Sequence, residues 1–290
     1  MYLDLDPLVS SGPPRIEQQV ATRWTVLIPF FNERDYLAAT IASLAAQTVT
    51  PTMILVDNGS TDGSADVARD ACREHGADFV LVTERVPGKI AALATGLAWV
   101  RTLFVATCDA DTLYPPDYLA QAQRLLERPG CAVAGAYFVR PGATRRDRIA
   151  KARAILLGAS LLPRQCHTGG AGQAFRTATL RAAGGFDALR WGFVLEDHEV
   201  IHRVMASGSM RYSADLWCMP SPRERDRDSI RWTLVERLLY SVAAPWAGDW
   251  FFYTFLARRL KQRRLHSNRM RERRFYSLEG PVLASSHPVL

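Results

Sequence analysis

The chain has 290 residues, of which 48% are hydrophobic, and carries a formal net charge of +7. Such a length and apolar content support a folded core and exclude disorder for the bulk of the chain. Five scattered cysteines with no C-x-x-C pair exclude a disulfide framework and a cysteine zinc site, and fit a reducing cytosol.

The opening segment, 1–22, contains acids and prolines where a signal peptide would be basic and then apolar. No uninterrupted apolar run approaches the ~20 residues of a spanning helix. Trp24 to Pro29 reads as a first strand stopped by proline, and Phe30 to Glu33 as the loop after it. Arg34 to Gln47 has helical spacing, Thr52 to Asp57 is a second strand, and Asn58 to Ser64 is a turn-rich loop before a helix over Ala65 to His75. Phe79 to Val82 forms a third strand, Lys89 to Arg101 a helix, and the apolar run from Leu103 a fourth strand. Beyond it lie a helix over Tyr118 to Glu127, a strand over Cys131 to Val139, a helix over Arg145 to Leu162, and a glycine loop at Gly169–Gly172 entering a short strand.

Alternating strands and helices imply an α/β fold with a mainly parallel twisted sheet covered on both faces. Ligands on such sheets sit at the carboxyl ends of the strands, so Asn32/Glu33, Asp57/Asn58 and Asp109/Asp111 should converge on one crevice. Residues i and i+2 of an extended chain project to one side, which places Asp109 and Asp111 together. Two carboxylates so close repel unless a cation lies between them, and oxygen ligands suit Mg²⁺ or Mn²⁺. The same residues also read as an Asp-rich turn capping the helix after Pro115-Pro116.

The order of motifs resembles the family-2 glycosyltransferases, nucleotide-sugar enzymes with a GT-A fold. It rests on Val26–Glu33, Val56–Ser64, Gly88-Lys89, Asp109-Ala110-Asp111, Gly184-Gly185-Phe186-Asp187 and Glu196-Asp197, in family order across roughly two thirds of the chain. The resemblance implies a three-layer α/β/α sandwich over 23–222, with a nucleotide-binding half (23–112) and an acceptor-binding half (113–222). A helical, aromatic and basic extension (223–275) and a tail (276–290) follow. It implies an inverting, metal-dependent transferase moving a sugar from a nucleotide-sugar donor, UDP-linked by default, to a hydroxyl acceptor on a glycan or a lipid. A polyprenyl-phosphate sugar transferase and an inactive nucleotide-sugar binding protein are the alternatives.

By the same resemblance, Pro29, Phe30 and Glu33 wall the nucleotide pocket and Asp57, with Asn58, receives the base. Lys89 lies near the base or diphosphate. Asp111 is the direct metal ligand, Asp109 shares the metal or holds the ribose, and Ala110 lies between them. Arg231 contacts diphosphate, while Gly170 and Trp232 meet the acceptor. Asp197, with Glu196 beside it to raise its pKa, is the general base; the two also read as an acidic first helical turn. His198 and His202 read more readily as structural than as metal ligands. Ala94 stands where many relatives have asparagine, and Asp228-Ser229-Ile230-Arg231-Trp232 keeps only the Arg-Trp of Gln-x-x-Arg-Trp.

Trp246, Trp250, Phe251, Phe252, Tyr253 and Phe255 precede a basic run from Arg258 to Arg274. Aromatics beside Lys/Arg suit an anionic membrane surface, so a cytoplasmic protein peripheral on the inner membrane face is one expectation. A helix packed on the domain or on a second copy of the chain is the other. Nucleic acid is not expected, since no recognition module accompanies the charge.

Overall fold

The computed structural model describes residues 22–222, 232–243 and 245–272. Strands β1 (Trp24–Phe30), β2 (Thr52–Asp57), β3 (Phe79–Thr83) and β4 (Phe104–Thr107) alternate with helices α1 (Arg34–Ala45), α2 (Ser64–Glu74) and α3 (Lys89–Trp99). β5 (Thr112–Leu113), α4 (Tyr118–Leu126), β6 (Cys131–Phe138), α5 (Arg145–Leu161), β7 (Gln173–Arg176), α6 (Thr177–Ala182), α7 (Glu196–Val204) and β8 (Ser209–Pro220) follow. The strands form one sheet in the order β3-β2-β1-β4-β7-β6-β8-β5. β1 to β4 pair in parallel, β7 runs antiparallel between β4 and β6, and β8 is parallel to β6.

Strand periodicity divides the core into two layers. In β1, Leu27 faces one side with Ile54, Val56 and Val105, while Val26 and Ile28 face the other with Leu37, Ile41 and Leu55. Both faces are covered, which is why these strands read as continuous apolar runs. On the first face α3 lies so close that a Cβ at Gly96 would sit 2.1 Å from Leu27 Cδ1. The expected α/β/α sandwich is therefore present.

Helix ends fall one to two residues short of their expected limits. α3 stops at Trp99 because Val100 is already extended (φ −61°, ψ 132°). Sequence periodicity gave no sign of β5 or of the twelve-residue β8, whose exposure does not alternate.

The C-terminal extension packs into the same core. α8 (Leu234–Ala243), α9 (Gly248–Trp250), a π-helical segment (Phe251–Leu256) and α10 (Ala257–Gln262) place Phe251, Phe252, Leu256 and Leu260 against Trp191, Val200 and Ile201. Glu236 on α8 is fully buried, accepting hydrogen bonds from Arg259 Nε (2.9 Å) and Arg263 Nη1 (3.3 Å). On α7, Glu199 pairs with Arg203 and accepts from Tyr253 Oη at 2.6 Å. A buried carboxylate is tolerated only when paired in this way, so both ties fix the register of the extension.

The expectation that the aromatic stretch seats on a membrane is corrected at two residues. Phe251 and Phe252 are fully buried; Trp246 and Trp250 remain outside. Among the described residues no helix is long and apolar enough to cross a membrane.

Candidate active site

The loops after β1 and β2 are laced together by backbone amides and short polar side chains. Asn32 N donates to Ser60 Oγ (3.1 Å), Glu33 N to Ser64 Oγ (2.8 Å), and Thr61 N to Asn32 Oδ1 (2.8 Å). Asp57 ends β2, is mostly buried, and accepts from Ser60 N at 2.8 Å. Asn58 acts as a staple: its Nδ2 donates to Glu84 O and Val86 O and its Oδ1 accepts from Gly88 N. These bonds hold the β3–α3 loop, at whose end Lys89 begins α3. Pro29 is half-buried, whereas the Phe30 side chain lies in the second core layer, so only its backbone reaches the rim.

Lys89 Nζ lies 2.6 Å from Asp109 Oδ1 and 3.9 Å from Glu196 Oε1. The residues of the Asp109–Asp111 turn are separately fixed. Asp109 N donates to Tyr114 Oη (3.0 Å), which donates to Ala171 O (3.1 Å). Ala110 O accepts from Thr40 Oγ1 (2.9 Å), and Asp111 O accepts from Ser221 N (2.8 Å). Thr107 Oγ1 donates to Gly170 O at 2.6 Å, tying the glycine loop to the end of β4.

Glu196 and Asp197 occupy the first turn of α7, directly after Leu195, whose φ of 65° is left-handed. A non-glycine residue held there costs about 1–2 kcal/mol and must be imposed by its surroundings. Arg203 donates to Gly185 O at 2.7 Å and so binds the Gly184–Asp187 turn to α7. Asp197 Oδ1 accepts from His198 N and lies 2.9 Å from His198 Nδ1. A Cβ at Gly170 would approach Lys89 Nζ at 3.5 Å and Asp197 Cβ at 3.4 Å, so this loop closes the floor between cation and carboxylate.

The charges bias one another. Burial pushes the Glu196 carboxyl up, Lys89 partly offsets it and Asp197 adds to it, leaving it raised to about 7. For Asp197 burial also acts upward, but the His198 ring and amide and Lys89 outweigh it and hold it below its ordinary value. Burial pulls the Lys89 ammonium down, and Asp109, Glu196 and Asp197 more than reverse this.

Asp109 and Asp111 are two carboxylates on one turn, and among the described residues no third His, Cys, Asp or Glu joins them to complete a protein cage. Two carboxylates without a cage fit Mg²⁺ or Mn²⁺, which draws its other ligands from phosphate oxygens and water.

Of the expected site residues, Lys89, Asp109, Glu196, Asp197 and Gly170 are gathered directly. Asp57 ends a neighbouring parallel strand, and Trp232 lies beyond His198, 5.1 Å between ring centroids. Arg231 lies outside the described residues. Sequence reasoning missed Tyr114 and Thr107; an aromatic hydroxyl three residues after Asp111 was the available signal. His198 proves to be the hydrogen-bond partner of Asp197, and His202 sits apart, 2.7 Å from Asp249 Oδ1.

A mainly parallel sheet with acids at its strand ends and an acidic α7 facing them is the architecture of GT-A glycosyltransferases. The mannosyltransferase PcManGT from Pyrobaculum calidifontis, solved with GDP-Man and Mn²⁺, has this fold with a TM-score of 0.62 at 23% identity, over 81% of this chain and 73% of that one. S. aureus TarS 1-349 with UDP-GlcNAc matches at 0.54 and 17%, over 76% and 64%. The model of glycosyl transferase family 2 matches residues 25–183, more than half the sequence, and the chain belongs to that family. The uncharacterized glycosyltransferase YaiP of Escherichia coli (strain K12) is 36% identical over 111 residues, 38% of this chain and 28% of that protein. The undecaprenyl-phosphate 4-deoxy-4-formamido-L-arabinose transferase of Edwardsiella ictaluri (strain 93-146) is 34% identical over 108 residues, 36% of this chain and 32% of that protein. The chain thus spans about three tenths of the length of the curated relatives it matches.

Proposed function

We propose that the chain is an inverting, metal-dependent glycosyltransferase that moves a sugar from a nucleotide-sugar donor, UDP-linked by default, to a hydroxyl on a glycan or lipid-linked acceptor. The observation that carries this reading is the contact of Lys89 with Asp109 and Glu196, which joins the donor-side strand ends to the acidic turn of α7. Asp57 receives the base and Pro29 and Glu33 border it. Lys89 faces the diphosphate, and Asp109 and Asp111 hold the Mg²⁺ or Mn²⁺. When bound, that ion offsets the negative charge of the departing nucleoside diphosphate.

Asp197 takes the proton of the acceptor hydroxyl as its oxygen bonds to the anomeric carbon. The bond from that carbon to the diphosphate breaks on the opposite face, and the electron pair leaves with the nucleoside diphosphate. Gly170 keeps the space between donor and base free of side chain.

A phosphate oxygen as acceptor is the second reading. It is favoured by the His198 bonds that hold Asp197 ionised and weakly basic, since a phosphate nucleophile needs no strong base. The Edwardsiella ictaluri relative, named for undecaprenyl phosphate, agrees with it.

A thermal-shift panel of UDP, GDP and their sugar conjugates, with and without Mn²⁺, tests the donor reading. At least one should raise Tm in a concentration-dependent, Mn²⁺-dependent way. Asp111→Ala should abolish the Mn²⁺ dependence. No response to any of them sinks the reading, and Mn²⁺-dependent release of nucleoside diphosphate excludes an inactive binding protein.

A further inference from the structure

A cavity of about 460 Å³ opens between α5 and α8, next to the candidate base. His198 belongs to its lining and lies 2.9 Å from Asp197 Oδ1, and a Cβ at Gly169, also in the lining, would come within 3.5 Å of Asp197 Oδ2, so the cavity borders the candidate base. Lys151 from α5 and Arg237 from α8 stand on its two walls, and among the described residues no Asp or Glu lines it. Gln165 is only 7% exposed, and its Nε2 finds no acceptor among the described residues. Two cations lining one space select an oxyanion, with phosphate the natural fit.

The same helices also carry exposed apolar side chains. Leu157 and Leu161 on α5 are 61% and 69% exposed, and Leu238 and Val242 on α8 are 60% and 72% exposed. Each pair is spaced i, i+4 and forms one stripe. α5 begins with Arg145 and Arg146 and carries exposed Arg153 beside its stripe. Apolar stripes set among arginines are complementary to an anionic bilayer surface rather than to a neutral partner.

We propose that this cavity is the subsite for the phosphate group of a lipid-borne acceptor, which enters from an anionic bilayer on which the outer faces of α5 and α8 rest. The inference builds on the donor reading above and adds the chemical class of the acceptor. Both acceptor chemistries are accommodated, because the phosphate either attacks directly or anchors the lipid next to the attacking hydroxyl.

Two measurements on the full chain test it. The protein should sediment with vesicles of phosphatidylcholine mixed with phosphatidylglycerol and not with phosphatidylcholine alone. The variant Leu157→Ser/Leu161→Ser/Leu238→Ser/Val242→Ser, altered only at exposed positions, should remain in the supernatant. In calorimetric titrations, geranyl phosphate should bind about tenfold or more tightly than either geraniol or inorganic phosphate. Lys151→Ala/Arg237→Ala should lose about tenfold of that affinity while keeping its Tm response to UDP with Mn²⁺. Equal binding of geraniol, unchanged binding in the double variant, or unchanged sedimentation of the serine variant would each overturn the proposal. Inorganic phosphate binding as tightly as geranyl phosphate would assign the cavity to a free phosphorylated solute and overturn its lipid source. Loss of the UDP–Mn²⁺ response alone, with geranyl phosphate binding intact, would overturn the donor reading and leave this subsite standing.

Discussion

Lys89 Nζ stands 2.6 Å from Asp109 Oδ1, joining the first residue of α3 to the turn that ends β4. The ammonium compensates a carboxylate that would otherwise face Glu196 unpaired. Lys89→Met should weaken UDP–Mn²⁺ binding by about tenfold or more. It should also lower stability by about 1 kcal/mol, a small figure because the pair is partly exposed. The Tm deficit should be larger at pH 8 than at pH 5, where Glu196, raised to about 7, can protonate instead.

Asp197→Asn removes the proton acceptor and keeps the shape and one hydrogen-bond acceptor for His198. Turnover with a hydroxyl acceptor should fall by about 10²–10⁴ with the donor KM little changed. A loss smaller than about tenfold would shift the assignment to phosphate as the nucleophile.

Glu196 has a folded pKa of about 7, above its ordinary 4.5, because burial disfavours its charge. A raised carboxyl contributes most to stability while protonated, and that contribution is lost as pH rises from 4.5 through about 7. Glu196→Gln should therefore match the parent near pH 4 and exceed it in Tm by about 2–4 °C at pH 8 in metal-free buffer. A constant difference across that range in a melting series would contradict the assignment.

Phe252 and Trp246 separate packing from surface. Phe252 is fully buried against Trp191 and stacks at 5.0 Å on His202, whereas Trp246 is 91% exposed. Phe252→Ala should cost about 3–5 kcal/mol in chemical denaturation. Trp246→Ser should change stability by no more than about 0.5 kcal/mol.

Much of the nucleotide-side half was legible because its signals are local. Thr52 to Asp57 is apolar and β-branched enough to declare a buried strand, and the turn residues of Asn58 to Ser64 mark where it ends. The site was legible only as types in order. Asn58 looked like a base contact, yet its amide is taken up by Glu84, Val86 and Gly88, a role set by how the β3–α3 loop folds back. Phe251 and Phe252 read equally as membrane anchors or as a packed helix face because composition records aromaticity and not direction; the π-helical segment turns both into the core.

The sequence by itself determined the alternation of strands and helices, the acids at the strand ends and the family, since each depends on periodicity and residue type along the chain. Only the tertiary structure decided which charges meet. Lys89 reaches Asp109 across twenty positions and Glu196 across more than a hundred. The cavity between α5 and α8 likewise joins Lys151 to Arg237. Electrostatic and packing energies depend on separation and burial in space, and neither is encoded by neighbours in sequence.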